Sequence, residues 1–173
     1  YNLYKKGWKG INFDIVDNNI KLFRLFRKRD SSKRIAISDK NGFVNSYIFN
    51  SGSGLNTLEK KWADKWADTI KKDYKIKKVR KTSLNTIMKE FNISKKIELL
   101  NIDVEGHEIN VLKGINLNIF RPKIITIEIH VAKTEEIFKT KVYKTLKKYN
   151  YDLISQYYHT SFFKAHEFKI TSI

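Results

Sequence analysis

No cysteine occurs among the 173 residues, which removes disulfides, zinc ribbons and thiol nucleophiles from consideration. No uncharged apolar stretch approaches the roughly 18 residues that a membrane-spanning helix needs. No secretory leader pattern opens the sequence either, so we expect a soluble, cytoplasmic protein. Methionine is nearly absent: the single one is Met88, and residue 1 is Tyr. A start that is processed, trimmed or incomplete is therefore expected. Acidic residues are few, 18 against 35 lysines and arginines, leaving a formal net charge of +17.

Such a charge attracts nucleic acid or anionic surfaces. The kind of base tempers that reading, because only six of the 35 are arginines: 24, 27, 29, 34, 80 and 121. Arginine supplies the bidentate contacts that read bases and grip phosphates, whereas lysine acts as a point charge. The richness in Ile, Asn and Tyr points the same way, to a composition-driven basicity. The densest basic stretch, Asn56 to Lys96, lacks the Gly-rich or alternating aromatic pattern of a single-strand binder. A lysine-coated helical face is expected there, and nucleic acid is not the expected partner.

What is present is material for a core: hydrophobic residues make up 41% and aromatics 13%, enough to argue against wholesale disorder. Residues 1–6 read as the end of a helix, stopped by Gly7. Gly10–Val16 is a short β-rich run ending in acid. Asp17 or Asn18 then caps a helix whose apolar positions Ile20, Phe23 and Phe26, with Leu22 and Leu25, recur at helical spacing. Arg34–Ser38 and Phe43–Phe49 read as strands, Leu55 to about Asp73 as a polar helix carrying Trp62 and Trp66, and Lys75–Lys81 as an edge strand. Ser83 or Asn85 begins another helix. Ile97–Asp103 reads as a buried strand, Val104–Glu108 as a turn, and His107–Leu112 as a helix stopped by Gly114. Lys123–Ile129 is a strong strand after Pro122, Thr134–Lys148 a helix, and Tyr151–Gln156 with Thr160–Lys164 a terminal strand pair. This alternation predicts one α/β domain, residues 1–173, on a mostly parallel sheet.

Ligands of open parallel sheets bind beyond the carboxyl ends of the strands. Three proposed strands end in polar groups there: Asp14; Asp103 followed by Glu105 and Glu108; and Glu128 with His130. Acids at those tips are exceptions in strands built for burial. Asp14 suits a ribose diol, for which a carboxylate supplies two acceptors. Asp103, Glu105, His107, Glu128 and His130 would line a neighbouring pocket, with Glu128 and His130 on one face of their strand. Each also has a plainer explanation: a hydrated strand tip, a helix N-terminus favouring the charge of Glu105, a surface position for His107. Oxygen and nitrogen donors at Asp103, Glu105, Glu128 and His130 suit a divalent metal as well as a hydrogen-bonded network. Trp62 and Trp66 either stack on a sugar or pack their helix.

The segment Leu100-Asn-Ile-Asp-Val-Glu-Gly-His-Glu-Ile-Asn-Val-Leu-Lys-Gly114 strongly resembles the FkbM-type methyltransferase family, which uses S-adenosylmethionine. The likeness runs forward through Pro122–His130 and back to Gly7-Trp-Lys-Gly-Ile-Asn-Phe-Asp14. It includes Arg29-Asp30 and Ala36-Ile-Ser-Asp39, and is weakest from Asn50 to Lys81. The resemblance implies a Rossmann-like class I methyltransferase sheet, mostly parallel with an antiparallel last strand. It implies methyl transfer to a hydroxyl on a sugar, glycan or natural product. By that likeness Asp14 would hold the ribose, Ile15 would flank the adenine, and Ala36 and Ile37 would lie near its ring. Asp103 would face the methionine end of the cofactor, and Glu105, Glu128 and His130 the acceptor; the general base would be among His130, His107 and Glu105. The family's first strand and Gly-rich turn have no counterpart in residues 1–173, and an N-terminally incomplete domain is the expectation. The alternative from another class is a non-catalytic basic α/β module that binds RNA or an anionic glycan.

Overall fold

The computed structural model describes residues 2–93 and 96–169. It divides into two compact units, Tyr1–Ile37 with Asn41–Thr82, and Ser38–Lys40 with Ser83–Ile173. The architecture is α/β, and the sheets are mixed rather than mostly parallel. No helix among the described residues is long and apolar enough to cross a membrane.

In the first unit a short helix α1 (Asn2–Lys5) precedes strand β1 (Ile11–Asp14), helix α2 (Asp17–Phe26) and strand β2 (Ser31–Arg34). Residue 1 of the expected first helix lies outside the described residues. Strands β1 and β2 pair in parallel, Ile11 with Ser31 through Asp14 with Arg34. Asp30, its side chain fully buried, accepts from the Gly10 backbone amide (2.9 Å) and from Asn12 Nδ2 (3.1 Å) and pairs with Arg27 (2.7 Å), pinning β1 to the segment before β2. The cap of α2 is not Asp17 or Asn18. Asp14, at the tip of β1, reaches past the turn instead: its Oδ1 accepts from the Val16 amide (2.7 Å) and its Oδ2 from Asn19 Nδ2 (2.9 Å). Of the apolar positions in α2 only Ile20 is buried, while Leu22, Leu25 and Phe26 stay exposed.

The expected strand Arg34–Ser38 is two strands. The Ile35 amide still donates to the Asp14 carbonyl (3.0 Å), extending the β1–β2 ladder. The chain then joins another sheet as β3 (Ala36–Ser38), beside β4 (Gly42–Ile48) and β5 (Lys75–Ser83) in the order β3-β5-β4. The segment expected at an edge, Lys75–Lys81, is thus the middle strand, with Val79 buried between exposed Lys78 and Arg80. Helix α3 (Lys60–Ile70) is shorter than expected at both ends. Thr57 is held in a β-bridge by Tyr47 (2.8 and 3.2 Å) after a turn at Gly54 and Leu55, and Lys71 ends the helix in the left-handed region at φ 53°. Trp62 and Trp66 lie with ring centroids 6.1 Å apart, one turn along α3.

The second unit opens on helix α4 (Leu84–Glu90), capped by Ser83, whose hydroxyl accepts from the Thr86 amide at 3.2 Å. Its sheet has the order β6-β7-β9-β8, from β6 (Lys96–Ile102), β7 (Arg121–Glu128), β8 (Tyr151–Tyr157) and β9 (Thr160–Ala165). Strands β6 and β7 are parallel; β9 runs antiparallel to both β7 and β8. Expected as a buried strand, β6 is instead a half-exposed edge strand whose inward residue Ile102 is buried. The core lies between this sheet and its helices: Ile125, Ile127, Tyr151, Phe163, Leu112 and Leu146 are almost fully buried. The expected helix Thr134–Lys148 is broken at Thr140 into a 3-10 turn (Thr134–Lys139) and α5 (Lys141–Lys148). Thr140 takes an extended backbone (ψ 152°) and its hydroxyl caps the second piece, accepting from the Tyr143 amide at 3.1 Å. Between β6 and β7, six residues, Glu108–Lys113, form a further helix.

Candidate active site

The parallel register pairs Ile102 of β6 with Ile127 of β7. The next residue along each strand is an acid, so Asp103 and Glu128 stand side by side at the carboxyl ends. The chain leaves β6 through a turn that places Glu105 at φ 51° and Gly106 at φ 94°. Only a glycine takes the second of these values freely, and a side chain at the first is strained by roughly 1–3 kcal/mol. Beyond β7, His130 returns to the same side as Glu128, as a two-residue period requires. His130 Nε2 lies 3.1 Å from Glu128 Oε2 and 4.0 Å from Glu105 Oε2. One donor atom from each of Glu105, Glu128 and His130 falls within 4.8 Å of the others, and the three side chains are 13%, 19% and 15% exposed.

The charges here act on one another. Pairing with His130 holds the Glu128 carboxyl below its ordinary range, against the burial that would raise it. The same contact, then the charges of Glu128, Glu105 and Glu108, hold the His130 imidazole above its ordinary value. Asp103 keeps much of its surface exposed, yet its carboxyl is partly desolvated. That desolvation, then the adjacent Glu128, raises it. Burial also raises Glu108, whose Oε1 accepts from the Gly106 amide at 3.0 Å and so closes the turn.

His107 is not in this cluster. It is buried, 5% exposed, and both ring nitrogens are engaged: Nε2 with the Ser38 hydroxyl (2.9 Å) and Nδ1 with Asn110 Nδ2 (3.2 Å). An amide nitrogen can only donate, so Nδ1 accepts and Nε2–H donates to Ser38. The Ser38 hydroxyl in turn donates to Asp39 Oδ1 (3.0 Å). Neither Ser38 nor this chain of bonds is foreshadowed by local sequence. His159 is a second residue without a sequence signal. It occupies the two-residue turn between β8 and β9, its ring stacks on His130 (centroids 4.6 Å apart), and its carbonyl accepts from the Ile129 amide at 2.7 Å.

The remaining sequence-derived residues lie in the first unit. Asp14 is at the tip of parallel strand β1, half-buried, with one bond on each carboxylate oxygen. A carboxylate offers about four acceptor positions, so capacity for a diol remains after the helix has been capped. The Ile15 carbonyl accepts from Arg34 Nε (3.3 Å), and Ala36 and Ile37 are buried at 2% and 8% exposure.

Mixed sheets with parallel strands that end in an acid and turn directly into a helix are consistent with an α/β domain of the methyltransferase type. The chain belongs to the FkbM methyltransferase family: the model of the methyltransferase FkbM domain matches residues 1–153. Neither the curated proteins nor the solved structures contain a match to it.

Proposed function

We propose that the protein is an S-adenosylmethionine-dependent O-methyltransferase acting on a hydroxyl of a sugar, glycan or natural product. The observation that carries this is the convergence of Asp103, Glu105, Glu128 and His130 at the carboxyl ends of β6 and β7, where open sheets receive ligands. Bound S-adenosylmethionine would supply an electrophilic methyl group, whose carbon bonds to the acceptor oxygen as its bond to sulfur breaks and the electron pair stays on sulfur. Asp14 holds the ribose with its remaining acceptor positions, Ile15 flanks the adenine, and Ala36 and Ile37 provide its apolar wall.

Asp103 is the exposed member of the cluster and so the one open to an incoming acceptor, and in this reading it takes the acceptor's proton. Glu105, Glu128 and His130, enclosed behind it, orient the acceptor. His107 acts as a positioning residue, locking the helix that follows the turn to Ser38.

Binding of S-adenosylhomocysteine, followed by calorimetry, tests the proposal. Asp14→Ala weakens it at least tenfold, about 1.4 kcal/mol. Asp103→Asn, by removing the proton acceptor, lowers methyl transfer by about 10²–10⁴-fold while the fold persists. Absence of homocysteine-nucleoside binding, with lysine-dependent RNA binding that weakens steeply as salt rises, would favour the basic binding module instead.

A further inference from the structure

We infer that Glu105, Glu128 and His130 form a binding site for one divalent transition-metal cation. Ligand atoms about 2.1 Å from a common ion lie about 3.0 to 4.2 Å from one another, depending on the angle between them. The separations of 3.1 Å and 4.0 Å from His130 Nε2 to the two carboxylates fall in that span, and all three donor atoms lie within 4.8 Å. They are also shielded from solvent, each side chain being less than a fifth exposed.

Charge supports the same conclusion. Two enclosed carboxylates lie together with Asp103 beside them, and carboxylates taken out of water require a compensating cation. The groups that draw the Glu128 carboxyl down include the imidazoles of His130 and His159, neither a fixed charge. The donor set is two hard oxygens and one imidazole nitrogen. Calcium and magnesium prefer oxygen alone, and soft sites need thiolate, so this set suits Mn²⁺, Fe²⁺, Co²⁺ or Zn²⁺.

The ligands are also held in place before any ion arrives. Glu105 is fixed by its left-handed turn, and His130 by the stacked ring of His159 and the Ile129–His159 backbone bond. Three protein ligands leave open coordination positions. Cation binding does not depend on the methyl-transfer reading; only the use of those positions, to receive the acceptor hydroxyl beside Asp103, rests on it.

The test is titration of the protein with Mn²⁺ alone, followed by calorimetry and by loss of the free-ion electron spin resonance signal. One equivalent is expected to bind saturably. Glu128→Gln and His130→Ala should each weaken it at least tenfold, and Glu105→Gln serves where either variant fails to fold. His166→Ala removes the exposed imidazole that pairs with Asp152 at 2.7 Å and should change nothing. No saturable binding of Mn²⁺ or Zn²⁺ at millimolar concentration would overturn the site, as would binding that survives both Glu128→Gln and His130→Ala. S-adenosylhomocysteine is titrated into the same preparation. Mn²⁺ binding without nucleoside binding supports the metal site and sinks the methyltransferase reading, and the reverse result does the opposite.

Discussion

Gly114→Ala should be among the most damaging single-methyl changes in this protein. Gly114 closes the helix that leads away from the acidic turn, at an ordinary φ of −82°, so its backbone conformation does not require glycine. Its surroundings do. A Cβ built there would stand 2.1 Å from the Ser38 carbonyl oxygen, 3.1 Å from the Ser38 carbonyl carbon and 3.2 Å from the Val111 oxygen. All three are backbone atoms, so no rotamer change relieves the clash. Neither side is free to retreat. The Gly114 carbonyl accepts from the Asn85 amide (2.8 Å), and Ser38 is buried and bonded to His107. Overpacking of this kind costs about 1–3 kcal/mol, and pushing Ser38 away adds the buried bond to His107, about 1 kcal/mol. The expected loss is about 2–4 kcal/mol. With a urea slope of about 2 kcal/mol per molar, the midpoint followed by circular dichroism should fall by about 1–2 M. Gly54→Ala, where nothing lies within 4 Å of the new carbon, should stay within about 0.5 kcal/mol of the parent. A Gly114→Ala midpoint indistinguishable from that of Gly54→Ala would refute the close approach of this helix end to Ser38.

Tyr151→Phe should cost about 1–3 kcal/mol in the same assay. It removes the hydroxyl that donates to the Pro122 carbonyl (2.7 Å), a buried bond beside a fully buried ring. A second change concerns pH. Arg121 pairs with Glu167, with Nη2 to Oε2 at 2.8 Å, and holds its carboxyl at about 2, below the ordinary 4.5. A depressed carboxylate contributes stability above its unfolded value, and that contribution is lost as pH falls from 4.5 towards 2. Glu167→Gln should therefore flatten the acid limb of a stability–pH curve over that window and leave the limb above pH 6 parallel to the parent's. Because Glu167 is 58% exposed, screening limits the effect to less than about 1 kcal/mol. An acid limb unchanged by the substitution would show that the pair does not persist in solution.

The elements whose signals are local were legible in the sequence. Ser83 caps α4 because a serine before an apolar run offers its hydroxyl to the first free amides, and the Tyr151–Ala165 hairpin follows from two alternating runs around a two-residue turn. Where tertiary partners decide, local signals misled. Asp17 and Asn18 looked like caps, yet Asp14 outcompetes them because β1 ends pointing at the helix start. Thr134–Lys148 has a continuous helical pattern, but Thr140 gains more from capping α5 than from continuing the turn before it. Lys75–Lys81 is polar enough for an edge and is nonetheless the middle of three strands, since its neighbours are set by long-range pairing.

The candidate site divides along the same line. Chemistry-bearing residues were visible one by one, because acids at strand tips contradict the burial their strands are built for. Their convergence depends on register, which no local pattern encodes. Pairing Ile102 with Ile127 sets Asp103 beside Glu128 and brings His130 within 3.1 Å of that carboxylate. A shift of one residue would turn every side chain of β7 to the other face, sending Glu128 and His130 away from Glu105. The register is fixed in turn by apolar residues remote from the chemistry. Ile125 and Ile127 are fully buried on one face of β7 and can occupy it in one alternation only. The cluster is thus a consequence of the core beneath it. Ile127→Val, which keeps the alternation, should spare the site, whereas substitutions that unseat the strand should remove cation and cofactor binding together.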